Sequence, residues 1–167
     1  LALGELLRDQ KHEVIALGTK EGLESRLVPN RGFELVIIPR LPLPRRLSLD
    51  SFSYPFRLAA ASFQVARLIR ARSIDCVVGF GGYASAPAYL AAWFTRTTLV
   101  VHEANALAGF ANKLGARLTK FVAVTFPNSN LQGARVTGMP IREEIVASAS
   151  SYDQQQARIE LGLDPML

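Results

Sequence analysis

The chain has 167 residues, enough for one domain with a sizeable core. Apolar residues make up 49% and charged residues 20%, a balance that excludes an intrinsically disordered chain. The formal net charge of +5 favours an anionic partner (a phosphate, a nucleic acid or an acidic membrane surface) without choosing among them.

In chain order, the opening Leu1-Ala2-Leu3-Gly4-Glu5-Leu6-Leu7 reads as the middle of a helix. Short apolar or β-branched runs then predict strands over residues 14–17, 35–38, 76–78, 98–101, 121–124 and 135–137. Most are continuous rather than alternating runs, the pattern of strands buried on both faces of a parallel sheet. Helical spacing appears between them over 58–69, 85–94 and 108–118. A further helix over 153–161 has Asp153 at its N-cap position and Gly162 at its end. Strands alternating with helices predict an α/β fold, a doubly wound parallel sheet of Rossmann-like type. The proline-rich stretch 39–55 predicts a long functional loop, and the small polar run 147–151 a linker. The last residues, 161–167, read as the lead-in to another strand, so a fragment cut at both ends is expected.

The one cysteine, Cys76, cannot form an internal disulfide and reads as a small buried hydrophobe. The uncharged stretch 76–95 is as long as a membrane span, but Gly79, Gly81, Gly82, Ser85 and Pro87 break it into strand, loop and helix. Two histidines, His12 and His102, with no HExxH or CxxC pattern, give no metal signal and no cofactor is expected. The basic residues are scattered without a reader motif, which argues against nucleic acid.

Three segments carry chemistry. Gly79-Phe80-Gly81-Gly82-Tyr83-Ala84-Ser85-Ala86-Pro87 joins a strand to a helix. Glycines there let the backbone approach a ligand, and a helix N-terminus offers free N–H groups suited to a diphosphate. The alternative is a tight turn without a ligand. The glycine spacing does not match GxGxxG. His102-Glu103-Ala104-Asn105 follows the next strand, so both loops are expected at the ligand crevice of a parallel sheet. Here Asn105 reads as functional, while His102 can equally be a satisfied core side chain and Glu103 a helix cap. In Thr137-Gly138-Met139-Pro140-Ile141-Arg142, the arginine opposes a helix dipole, which suits either an anion contact or an exposed surface position.

Taken together these segments resemble the peptidoglycan N-acetylglucosaminyltransferase family MurG. The likeness also runs through Gly18-Thr19, Glu24, Leu27-Val28-Pro29, Gly109, Asn112-Lys113 and Thr125-Phe126-Pro127. The resemblance implies the N-terminal, acceptor-binding half of a GT-B glycosyltransferase. Residues 1–147 would form that domain, and 148–167 the linker and start of the donor-binding domain. It implies an inverting transfer of N-acetylglucosamine from UDP-N-acetylglucosamine to an undecaprenyl-diphosphate-linked muramyl pentapeptide, at the cytoplasmic face of the cell membrane. By resemblance Gly81, Gly82, Tyr83 and Ser85 hold the acceptor diphosphate, Asn105 and Arg142 contact the donor, and Glu103 is the candidate base. A membrane patch is expected from Arg45, Arg46, Phe56 and Trp93, with core positions the alternative for Phe56 and Trp93. Departures are Ala104 where the family has Gln, Met139 where it has Asn, and the family's first glycine loop with its His, which does not precede Leu1. Exposed apolar surface is expected where the strand before that loop would sit, and no transfer by the bare chain. A related transferase with another lipid acceptor, and a membrane subunit of a split transferase, are the alternatives.

Overall fold

The computed structural model describes residues 1–42, 49–150 and 153–164. Their packing divides the chain into two units, Val14–Met139 and a second made of Leu1–Glu13 with Pro140–Leu167.

The larger unit is α/β, and every strand pair in it is parallel. Its elements run β1 (Ile15–Gly18), α1 (Glu24–Asn30), β2 (Glu34–Ile37), α2 (Leu49–Ala71), β3 (Cys76–Gly79), α3 (Ser85–Thr95), β4 (Thr98–Glu103), α4 (Phe110–Leu118), β5 (Phe121–Val124) and β6 (Arg135–Val136). β1 pairs with β2, and a separate sheet has the order β3-β4-β5-β6. Each strand is reached from the one before it through a crossover, as parallel pairing requires. The arrangement is Rossmann-like, as the continuous apolar runs predict.

Three apolar clusters hold the unit together. Val65, Ala66 and Ile69 of α2 pack with Ile38 and with Ala88 and Ala91 of α3, and Leu17 of β1 and Val77 of β3 both rest on this cluster. The two sheets thus share one apolar layer although no ladder joins them. Tyr89, Ala92, Leu99 and Val101 form a second cluster between α3, α4 and β4. Ala108, Val122, Val124 and Leu131 form a third beneath β5. Fully burying side chains of this size stabilises by about 1.5–3 kcal/mol each, so these clusters carry the fold.

The smaller unit holds helices α5 (Ala2–Asp9), α6 (Glu143–Ser150) and α7 (Gln154–Glu160). Asp153 caps α7, its carboxylate accepting from the N–H groups of Gln155 and Gln156 at 2.9 and 3.1 Å. Gly162 follows at φ 68°, the left-handed residue that commonly ends a helix.

Three sequence expectations need correction. The second half of the stretch 39–55 is helical, because α2 begins at Leu49 and carries Pro55 inside it. The proline removes one intrahelical bond, and the Ala- and Leu-rich turns beyond it hold the helix. The expected linker is helical through Ser150. Alanines favour that state, Glu143 and Glu144 complement the dipole of the first turn, and Ser148 donates back to the Glu144 carbonyl at 2.7 Å. Cys76 is exposed, since it opens β3 at the edge of its sheet. Desolvation by its neighbours, then the charge of Asp75, push its thiol pKa up, so it is no activated nucleophile.

Candidate functional site

The C-terminal ends of β3 and β4 open into a cavity of about 250 Å³ lined by Gly81, Gly82, Tyr83, Glu103, Asn105 and the first turn of α4. Sequence reasoning places the two chemical loops side by side, and the structure does the same. In a parallel sheet the loops leaving the strand ends converge on one crevice.

Local conformation explains the glycine run. Gly81 and Gly82 take φ values of 85° and 88°, where a Cβ is strained. Ser85 does not cap α3; its hydroxyl donates to the Gly81 carbonyl at 2.5 Å and fixes the turn. Neither α3 nor α4 has a side-chain N-cap. Ala86 of α3 and Phe110, Ala111 and Asn112 of α4 all line the cavity, so two uncapped helix starts meet there. Arg40 lies over the Tyr83 ring at 4.5 Å, adding a cation beside the loop.

Glu103 is 2% exposed. Its Oε1 accepts from the Asn105 backbone N–H at 2.9 Å and the Asn105 side-chain amide at 3.0 Å. Its Oε2 accepts from the Gly109 N–H at 3.2 Å and the Asn112 side-chain amide at 2.9 Å. Burial acts to raise its pKa, but these hydrogen bonds outweigh burial and leave the carboxyl below its ordinary value. A carboxylate has about four acceptor positions, and all are filled. Glu103 therefore has no capacity left for a substrate hydroxyl in this structure, and its base strength is reduced. It shapes the loop that presents Asn105.

His102 is buried, and its Nε2 lies 2.9 Å from the Gly138 carbonyl, which can only accept, so Nε2 carries the hydrogen. Nδ1 has no hydrogen-bond partner among the described residues, so the core reading of His102 holds with one nitrogen unsatisfied. Arg142 is exposed and precedes α6 in the smaller unit. Tyr89 and Asn112 carry no chemical motif, and sequence reasoning gives them no role in the site. Both are buried beneath the cavity, and the Tyr89 hydroxyl donates to Asn112 Oδ1 at 2.7 Å. The helical phase of Tyr89 marks it only as core.

A second, larger cavity of about 540 Å³ lies at the opposite end of β4, lined by Trp93, Phe94, Arg96, Leu99, Leu118 and Phe121 among others. The Trp93 and Phe94 rings stack at 4.9 Å, and Lys120 sits 5.5 Å from the Phe121 ring. Phe56 is 78% and Trp93 54% exposed, so neither is a core residue. Arg45 and Arg46 lie outside the described residues. No helix among the described residues is long and apolar enough to cross a membrane.

Residues 1–124 match the family model described as the glycosyltransferase family 28 N-terminal domain. The chain belongs to glycosyltransferase family 28. Among its relatives in that family, the UDP-N-acetylglucosamine–N-acetylmuramyl-(pentapeptide) pyrophosphoryl-undecaprenol N-acetylglucosamine transferase of Clavibacter sepedonicus is 49% identical over 98% of this chain and 46% of its own length. The protein of the same name from Corynebacterium diphtheriae is 45% identical over 99% of this chain and 45% of its own length. The crystal structure of Acinetobacter baumannii MurG superposes with a TM-score of 0.70 at 30% identity, over 85% of this chain and 41% of that one. The chain thus spans less than half the length of the relatives it matches, and the MurG resemblance read from its motifs agrees with these matches.

Proposed function

We propose that this chain is the acceptor-binding half of a MurG-type transferase. Its reaction moves N-acetylglucosamine from UDP-N-acetylglucosamine to a lipid-linked muramyl pentapeptide. The observation that carries the proposal is the single cavity that brings Gly81, Gly82 and Tyr83 together with Asn105 between two uncapped helix starts. Free N–H groups, helix dipoles and Arg40 suit the acceptor diphosphate. Ser85 serves the same ligand by setting the Gly81–Gly82 turn.

The muramyl 4-hydroxyl attacks the anomeric carbon as the C–O bond to UDP breaks, with inversion. Charge grows on the departing diphosphate, and N–H donors and cations stabilise it. Asn105 and Arg142 are the donor contacts in this reading. Glu103 holds Asn105 in place and is not the proton acceptor. Residues 1–147 form the acceptor domain and 148–167 lead toward the donor domain. The acceptor carries a polyprenyl tail, so the protein works at the cytoplasmic face of the membrane as a peripheral protein. The exposed aromatic groove of Trp93, Phe94 and Phe121 with Arg96 and Lys120, together with Phe56, supports membrane contact. Arg45 and Arg46 would add attraction to anionic lipid.

The test is transfer of labelled sugar from UDP-N-acetylglucosamine to a short-tailed lipid-linked muramyl pentapeptide by the gene product that contains this chain. Transfer that falls by about a hundredfold in Asn105→Ala supports the reading, since one donor to developing charge is worth about that much. A folded protein that transfers nothing overturns it, and transfer that appears only with a second polypeptide indicates a split enzyme instead.

A further inference from the structure

The Gly81–Gly82 loop and the Asn105 loop leave different strands and do not bond to each other directly, yet a buried side-chain chain connects them. The Gly81 N–H points to the Tyr89 hydroxyl at 3.4 Å, and that hydroxyl donates to Asn112 Oδ1 at 2.7 Å. The Asn112 amide then donates to Glu103 Oε2 at 2.9 Å and to the His102 carbonyl at 3.2 Å. Glu103 Oε1 receives both N–H groups of Asn105. A Cβ on Gly81 would lie 3.3 Å from Asn112 Nδ2, so the loop also rests on Asn112. Tyr89 is 0% and Asn112 1% exposed, so water cannot substitute for either. The Tyr89 ring is wedged between glycines: a Cβ on Gly79 would meet it at 2.0 Å and one on Gly115 at 2.6 Å. Movement of the glycine loop therefore cannot be absorbed by the tyrosine and passes along the chain.

We propose that Tyr89 and Asn112 are positioning residues that couple the anion-binding glycine loop to Asn105, so that occupancy of either loop favours occupancy of the other. The inference rests on the glycosyltransferase reading for the identity of the two ligands. Tyr89 donates its one hydrogen to Asn112, which forces Asn112 to present its amide to Glu103. Glu103 in turn is oriented to hold both groups of Asn105. An anion that settles on the glycine loop stiffens a network that the donor would otherwise have to order, and by linkage the donor does the same for the anion.

Tyr89→Phe keeps the ring and removes the link. In the intact gene product the acceptor KM should fall about fivefold or more as UDP-N-acetylglucosamine rises from well below to well above its own KM, the low end of typical coupling. In Tyr89→Phe the two acceptor KM values should coincide while the saturated kcat changes little, a split that a purely structural role would not produce. Retention of the wild-type dependence in the variant, or its absence in the wild type, overturns the coupling. A readout without substrate keeps the two readings apart: exchange of the Asn105 backbone N–H should quicken about tenfold in Tyr89→Phe while core amides such as Val101 hold, as local opening allows. Unchanged Asn105 exchange overturns the relay. If the wild type transfers no sugar, the glycosyltransferase reading fails and exchange alone decides the relay.

Discussion

Replacing Glu103 by Gln separates the two roles open to that residue. The carboxylate receives four N–H groups, two on each oxygen. A glutamine keeps one oxygen, so one pair of donors must face its NH2 group. Asn112 cannot turn its own oxygen toward that group, because Oδ1 already holds the Tyr89 hydroxyl. Each orphaned buried donor costs about 1–3 kcal/mol, so a loss of about 3 kcal/mol is expected after local relaxation. Urea unfolding followed by circular dichroism at neutral pH measures it. The pH dependence adds a second reading. The folded pKa of Glu103 lies below the ordinary 4.5, so its stabilising contribution is complete above that value and is lost as pH falls through the lower folded pKa. The gap between wild type and Glu103→Gln should therefore narrow in acid below pH 4.5. A variant within about 0.5 kcal/mol of wild type that loses a hundredfold or more in transfer would refute the reasoning, since that is the signature of a general base.

Gly79→Ala should destabilise by about 3 kcal/mol, the upper end of overpacking, because its Cβ would overlap the immobile Tyr89 ring; thermal unfolding checks it. Gly82→Ala meets no neighbour within 4 Å and should cost only about 1–2 kcal/mol from its φ of 88°, with a larger effect on acceptor KM than on stability. Asp153→Ala should lower stability by about 1 kcal/mol, with faster amide exchange confined to α7. Vesicles with anionic lipid should bind Arg45→Glu/Arg46→Glu or Trp93→Ala/Phe94→Ala more weakly than wild type, by about 1 kcal/mol per basic residue removed; unchanged binding counts against the membrane reading.

The fold was legible because burial on both faces writes continuous apolar runs, and every one of the six expected strands has its counterpart between β1 and β6. Boundaries set by a single residue type were less legible. Pro55 reads as a loop signal, but the helix-favouring turns after it extend α2 across it. Ala147 and Ser148 read as linker composition, although acidic residues just before them start a helix. The meeting of the glycine run with Asn105 followed from topology alone, since both loops leave parallel strand ends. The saturation of Glu103 was not legible. Three of its four donors come from residues 105 and 109, close in sequence, but whether they bond the carboxylate depends on the loop's path and on Asn112 arriving from α4.

The glycines around the site divide into two kinds, and the division explains why the motif reads more simply than it works. Gly81 and Gly82 are needed for their backbone, which turns through the left-handed region to expose N–H groups at the cavity. Gly79 and Gly115 are needed for what they lack, since each leaves room for the ring of Tyr89. That ring fills the junction of β3, α3 and α4, and its hydroxyl reaches the polar network below the loop. A site for a mobile, charged ligand must hold its loops rigidly without spending ligand-facing groups on their own support. Here the support comes from beneath: a tyrosine clamped by two glycines, an amide and a saturated carboxylate. The Gly81 and Gly82 backbone and Arg40 thereby remain at the cavity for the anion, and the specificity of the surface loops follows from packing that no surface motif records.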